Sequence, residues 1–407
     1  MKIPNRHAGM AGPVVCGLWL STMFTVVMLS AVLKPPRNFA AGAVAAETMG
    51  SAIALLVAVV WPGLYLVFSA RRRSESRLRL SVGIAVGCFV LCCLCSIFFS
   101  PNPAMSAAYL VLTLAAGWVC YRFALDFHAN PERMAAAFRL YAPLVTVQLA
   151  LFSYVEFVPG YRLGEGRGLM EPATIGLNAL SGVLASMAYR SNLIRLPLIT
   201  ALLAIIYLTQ SRAPALAALF GLGTIFLSRF RHQSLWRKAA ALLTLIMACG
   251  FSLAFSDVLW PLVERFLALN DEHRGLAAGG SGRLLIWQDV WRVILEHPFL
   301  GVGYRMHEGF LRIGTSAHNG YLALLAEIGF FGFIAAIFVI FGSLLRAVMS
   351  TRATAESVPT QSILLGFIAS GLFVGIFERF LINTGNAFSV IFILAVLWFS
   401  LGRRRFA

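Results

Sequence analysis

His318 stands in the run Thr315-Ser316-Ala317-His318-Asn319-Gly320-Tyr321, directly before a long apolar stretch. An imidazole at the mouth of a helix can take a proton from a hydroxyl near neutral pH, which makes it a candidate general base. It also has a plain structural reading, as a rim histidine bonded to a neighbouring carbonyl. Arg212 lies between two apolar stretches with almost no loop around it. A guanidinium held near hydrocarbon costs about 2.5–3.5 kcal/mol unless it meets a partner, and a lipid-borne phosphate would be one. A snorkelling arginine at a helix end is the alternative. Glu327 follows His318 by nine residues, which at about 100° per residue sets it on the opposite face of a helix, out of direct reach. His297, His307 and His318 are spaced by ten and eleven residues, and the seven cysteines lie inside apolar stretches without paired spacing, so no metal site is expected.

The elements that must position these groups are dictated by composition. Of 407 residues 59% are hydrophobic and only 12% charged, with a mean hydropathy of +0.81. A soluble chain of this size needs a charged exterior, so a cytosolic globular enzyme is excluded and the lipid bilayer is the solvent. The net charge of +16 could point to nucleic acid. The arginines argue otherwise, because they gather in short runs such as 71–73 and 403–405 between apolar stretches, as topology signals do.

A crossing helix needs about 20 apolar residues. Twelve runs qualify, at 14–33, 49–70, 80–100, 104–124, 134–158, 173–189, 194–210, 213–228, 239–256, 320–345, 360–377 and 385–401. The first is too long for the apolar core of a signal peptide and is expected to be retained. With the N-terminus inside, 21 of the 33 Lys and Arg fall on the inner side, and the bias among short loops is 21 to 6. Both termini are therefore expected in the cytoplasm. The chain divides into nine spans in residues 1–256, a long outer loop at 257–319 and three spans in 320–407. Segment 159–172, Ser211-Arg212, the long loop and Glu378-Arg379 should then share the outer surface.

Within the loop, Arg283–Glu296 reads as an amphipathic helix. Leu284, Trp287, Trp291 and Ile294 share one face, widened by Leu285, Val290 and Leu295, while Gln288, Asp289, Arg292 and Glu296 point away. Two tryptophans on such a helix suit the bilayer interface; a simple cap over the loop is the other reading. Residues 277–282 read as a hinge before it, and Gly301-Val302-Gly303 as a turn after it.

Together these residues resemble the bacterial O-antigen ligase and Wzy-type O-antigen and exopolysaccharide polymerase superfamily. His318-Asn319, nine residues, then Gly329-Phe330-Phe331-Gly332 is similar to that family's histidine and Gly-x-x-Gly pattern. Arg283 to Trp287 resembles the start of its loop domain, Pro298 to Gly303 its Gly-x-Gly turn, and Arg212 to Leu216 its Arg-x-x-x-Leu element. The ordered set from Arg283 to Gly332 is specific; Arg-x-x-x-Leu in a leucine-rich chain is not.

The resemblance implies an all-α polytopic fold of about twelve crossing helices, similar to GT-C glycosyltransferases, in the bacterial inner membrane with its active site on the periplasmic face. It implies metal-independent, inverting glycosyl transfer without a cofactor. The donor would be a glycan on undecaprenyl diphosphate and the acceptor a sugar hydroxyl on another repeat unit or on the lipid A core. A chain-length regulator and a flippase would be further partners. His318 becomes the catalytic base, and Arg212 and Arg283 hold the diphosphate. Arg162, Arg167, Glu171, Asn319 and Tyr321 are candidate contacts to glycan or diphosphate, although for the first three a solvated loop is the favoured reading. Polymerase is favoured over ligase because His-Asn-Gly-Tyr-Leu resembles the exopolysaccharide polymerases more closely. A transporter of polyprenyl-linked sugar is a third reading, disfavoured by the scarcity of ionisable groups within the spans.

Overall fold

The computed structural model describes residues 11–32, 59–67, 76–236, short pieces between 238 and 264, 283–312, 316–350 and 358–403. In chain order the elements are α1 (Ala11–Val32), α2 (59–67), β1 (Ser76–Leu78), α3 (Leu80–Ile97), α4 (Pro103–His128) and α5 (Pro131–Glu156). They continue with α6 (Pro172–Ser186), α7 (Asn192–Thr209), α8 (Arg212–Phe230), α9 (Arg283–Glu296) and a 3-10 turn (His307–Phe310). The chain closes with α10 (Gly320–Ser350), α11 (Val358–Phe377), α12 (Ala387–Ser400) and β2 (Leu401–Arg403).

Ten of the twelve expected spans coincide with described helices. The run at 49–70 is helical where it is described, over 59–67; that at 239–256 lies mostly outside the described residues, and the 277–282 hinge and Thr315 lie wholly outside them. Seven described helices are long and apolar enough to cross a membrane, and the chain is a multi-pass membrane protein.

Two helices form the centre. Every residue of α6 from Ile175 to Ser186 is buried, and α12 is buried along nearly its whole length. Uniform apolarity rather than a stripe is what a surrounded helix requires. Around them, small residues let helices approach closely, the usual device where lipid removes the hydrophobic drive between helices. A methyl group on Gly221 of α8 would lie 2.1 Å from Ser370 Oγ of α11. Prolines start α4, α5 and α6, where no intrahelical N–H is needed, and the Asn102 and Asn386 side chains accept from Met105 N (3.1 Å) and Ser389 N (2.8 Å) as caps.

The helices alternate in direction, so α4, α6, α8, α10 and α12 all begin at one end of the bundle. Of the four segments expected to share a surface, the described residues lie at that end: Leu163 N donates to Leu208 O (2.9 Å), Arg283 reaches Glu378, and Gly320 lies against the Glu378 carbonyl, while most of 257–282 is outside the described residues. At the opposite end β1 pairs antiparallel with β2, Ser76 opposite Arg403 and Leu78 opposite Leu401, joining the start of α3 to the end of α12.

Candidate active site

The site is assembled at a break in α10. Gly329 has φ 67° inside that helix, so its neighbours abandon the regular hydrogen-bond ladder. Phe330 N donates to Pro298 O (2.8 Å) instead of to Ala326 O. The released carbonyls of Ala326 and Glu327 accept from Val302 N (3.0 Å) and Gly303 N (3.1 Å). The turn after α9 is thereby stitched into the helix. A Cβ on Gly301 would lie 2.4 Å from the Glu327 carbonyl carbon, and one on Gly329 2.2 Å from that of Phe299. Both also have φ near 70°, which L side chains rarely adopt, so the glycine spacing read in the sequence is a backbone requirement.

This splice holds α9 and the 304–312 segment over the first turns of α10. Val290, Val293 and Ile294 pack with Ala317, Ala323 and Ala326. That corrects the expected face: Leu284, Leu285, Trp291 and Leu295 are exposed, and the buried stripe is rotated toward Ile286, Val290 and Val293. Nor does Asp289 point away. It is nearly buried, accepting from Arg292 Nε (3.1 Å) and Arg312 N (2.6 Å). The periodicity located an apolar helix; two partners, protein and surroundings, divide its apolar surface between them. Tyr304 fixes the segment to α4, its carbonyl accepting from Ser106 Oγ (3.0 Å) and its hydroxyl bonded to Thr113 Oγ1 (3.1 Å); burial pushes its phenol above the ordinary range.

The peptide before His318 is held from both sides. The Trp287 indole donates to Ala317 O (3.0 Å), and Ala317 N donates to His307 Nε2 (3.3 Å). Since that nitrogen accepts, the tautomer assigned to His307 carries its proton on Nδ1, which lies 2.6 Å from Glu327 Oε1. His307 is fully buried and Glu327 nearly so. The sequence reading kept Glu327 away from His318, and its partner is this other imidazole.

His318 itself has φ 44°, a left-handed conformation tolerated by histidine better than by bulky residues. Asn319 follows as the cap of α10, its Oδ1 accepting from Tyr321 N and Leu322 N, both at 3.0 Å. The Tyr321 hydroxyl donates to Leu372 O on α11 (2.8 Å). These polar atoms of Asn319 and Tyr321, two candidate ligand contacts, are thus occupied by the protein's own backbone.

The imidazole of His318 is about one-third exposed, and its Nδ1 lies 3.4 Å from Glu378 Oε2. The other oxygen of Glu378 accepts from Arg283 Nη2 at 3.1 Å. One buried carboxylate therefore bridges two of the expected site residues. Glu378 was legible only as part of an outer-face Glu-Arg pair; nothing local signals that it joins residues 60 and 95 positions away.

Arg212 opens α8, which packs antiparallel to α11. Gly221 lies against Ser370 and Gly366 against Ile225, a register that, carried along the two helices, brings the start of α8 to the level of Phe377 and Glu378. Arg162, Arg167 and Glu171 belong to the loop between α5 and α6. It is tied down by Leu163 N to Leu208 O (2.9 Å) and by Glu156, which accepts from Arg167 N (3.3 Å) and Gly168 N (3.1 Å). Arg162 pairs with Glu165, while Arg167 and Glu171 are exposed. Among the described residues, no hydrogen bond or ion pair joins this loop to His318, Glu378 or Arg283. Across the start of α10 lies a second charged group, with Arg379 paired to Glu308 and Arg305 5.5 Å above the Tyr109 ring.

The arrangement can accept a proton at the free nitrogen of His318 and hold an anion beside it, with Glu378 orienting both. No curated protein matches the chain. Residues 197–337, from α7 into the middle of α10, match the model of the O-antigen ligase family, so this stretch of the chain is similar to that family.

Proposed function

We propose that this protein transfers a glycan from an undecaprenyl diphosphate carrier to a sugar hydroxyl on the periplasmic face of the inner membrane, extending a lipid-linked repeat unit and so polymerising an O-antigen or exopolysaccharide. The observation that carries this reading is the His318-Glu378-Arg283 bridge at the mouth of α10. In the tautomer assigned to His318, Nδ1 carries the proton toward Glu378 Oε2 and Nε2 is left for the acceptor. Nε2 takes the proton of the acceptor hydroxyl as that oxygen attacks the anomeric carbon. The bond from that carbon to the diphosphate breaks, and undecaprenyl diphosphate leaves with the electron pair. The configuration inverts, and no glycan is attached to the enzyme at any stage. Glu378 balances the imidazolium that forms.

Arg283 and Arg212 neutralise the departing diphosphate, for which planar, permanently charged guanidinium groups are suited. Arg283 gives one N–H to Glu378 and keeps others for a ligand. Arg162, Arg167 and Glu171 would meet the glycan only from the neighbouring loop. No step calls on a metal or cofactor. A flippase would deliver the donor and a chain-length regulator would limit the product.

Purified protein given synthetic undecaprenyl diphosphate glycan tests the proposal. The expected product is a ladder of lipid-linked oligomers, abolished in His318→Ala. Turnover only when lipid A core is added would instead identify a ligase. In cells, loss of a polymerase leaves single repeat units transferred, whereas loss of a ligase leaves finished polymer on its carrier. A His318→Ala protein that polymerises normally removes the histidine from the mechanism.

A further inference from the structure

Along the bundle, from Thr113 and Ile382 toward the His318 end to Leu78 and Leu397 at the strand end, runs a second feature that the proposed glycosyl transfer does not use. An apolar cleft of about 420 Å³ lies between α3, α4, α10 and α12, lined among others by Leu78, Val90, Trp118, Val339 and Leu397. It runs along the helices: on α4 alone it extends from Thr113 to Tyr121, about 12 Å at 1.5 Å per residue. Those dimensions suit a hydrocarbon chain lying parallel to the helix axes.

Two arginines, Arg79 and Arg346, sit where the cleft meets the strand end of the bundle, and a third, Arg122, stands beside the lining residue Trp118 with its Nη2 donating to Leu66 O of α2 at 3.4 Å. Arg79 directly follows Leu78, and its Nε donates to Leu401 O at 3.5 Å. Arg346 lies two turns beyond Val339 on the same side of α10, its Nε donating to Phe399 O at 2.8 Å. Two guanidinium groups thus sit on carbonyls two residues apart at the end of α12. Arg122 lies 5.7 Å above the ring of Trp118, a lining residue. Among the described residues, none of the three is paired with a carboxylate. This differs from the other end, where Arg283 and Arg379 each have one. Backbone carbonyls orient these cations without cancelling their charge.

We propose that the cleft binds an anionic phospholipid, with one acyl chain along α4 and α10 and the phosphate on Arg79 and Arg346, flanked by Arg122. The phosphate end of this site lies at the strand end of the bundle, opposite His318, and does not depend on what His318 does. A zwitterionic lipid would bring its own cation to this cluster and gain less. A free anion would leave the apolar cleft unfilled.

Native mass spectrometry of the full chain in mild detergent, with phosphatidylglycerol or phosphatidylcholine of the same acyl chains added, tests this. One phosphatidylglycerol should be retained in preference to phosphatidylcholine. Arg79→Gln and Arg346→Gln should each lower its retention roughly fivefold, the share of one arginine near a phosphate. Gly117→Leu supplies a variant that keeps the fold, because a Cβ there meets nothing within 4 Å and the side chain enters the cleft. It should displace the lipid while the melting temperature in detergent stays unchanged. Equal retention of the two lipids, or unchanged phosphatidylglycerol in both Gly117→Leu and Arg346→Gln, overturns the proposal. So does displacement of the lipid by undecaprenyl phosphate at equal concentration, which would assign the cleft to the carrier, or by inorganic phosphate alone, which would reduce it to an anion site.

Discussion

Two imidazole-glutamate pairs flank the start of α10, and they differ in everything except residue type. His307 and Glu327 are 2.6 Å apart and sealed, with side chains 0% and 5% exposed. His318 and Glu378 are 3.4 Å apart, and the imidazole is 36% exposed. The first pair spends both ring nitrogens on the protein, one on Glu327 and one on the Ala317 amide. The second spends one and leaves the other for a substrate. A histidine beside a carboxylate is thus a structural clamp when closed and a candidate base when open, and here the clamp holds the peptide that precedes the base.

If that division is right, replacing each member should separate activity from stability. The largest effect should come from His318→Ala, which should lose about 10²–10⁴ in turnover of lipid-linked glycan with an unchanged melting temperature, the range for removing a general base. Next, Glu327→Ala should destabilise the protein by about 1–3 kcal/mol, the cost of leaving the buried His307 Nδ1 donor without its acceptor. Its measure is a denaturation curve in detergent, and turnover per folded molecule should fall less than in His318→Ala.

Glu378→Gln should lower turnover roughly 10- to 100-fold, as loss of an orienting partner does. It leaves Arg283 without a charged partner, and the affinity for undecaprenyl diphosphate should hold or rise; a fall in affinity with turnover intact would reverse the roles assigned to Glu378 and Arg283. The smallest effect should be that of Asn319→Ala, about 1 kcal/mol in stability from a lost cap. A large loss of glycan affinity there would show that the capping amide also meets substrate.

The glycine pattern and the glutamates mark the two kinds of information in this chain. Gly301 and Gly329 were readable because a steric demand on the backbone leaves only one residue type able to meet it, and that demand leaves a spacing. The helices were readable because an apolar run of bilayer length has few other uses. The face of α9 was not, since its apolar surface serves two environments and periodicity counts only apolar positions.

The sequence by itself determined that this is a multi-pass helical membrane protein and where ten of its described helices run, and it carried, from Arg283 through His318 to Gly332, a pattern that resembles that of the ligase and polymerase superfamily. Hydropathy and steric demand act on residues close in the chain, so their traces are local. Only the tertiary structure decided that Glu378 joins His318 to Arg283, that Glu327 answers His307, and that three arginines stand beside an apolar cleft. A charge at low polarity must find its partner through space, and packing, rather than separation along the chain, sets which one it meets.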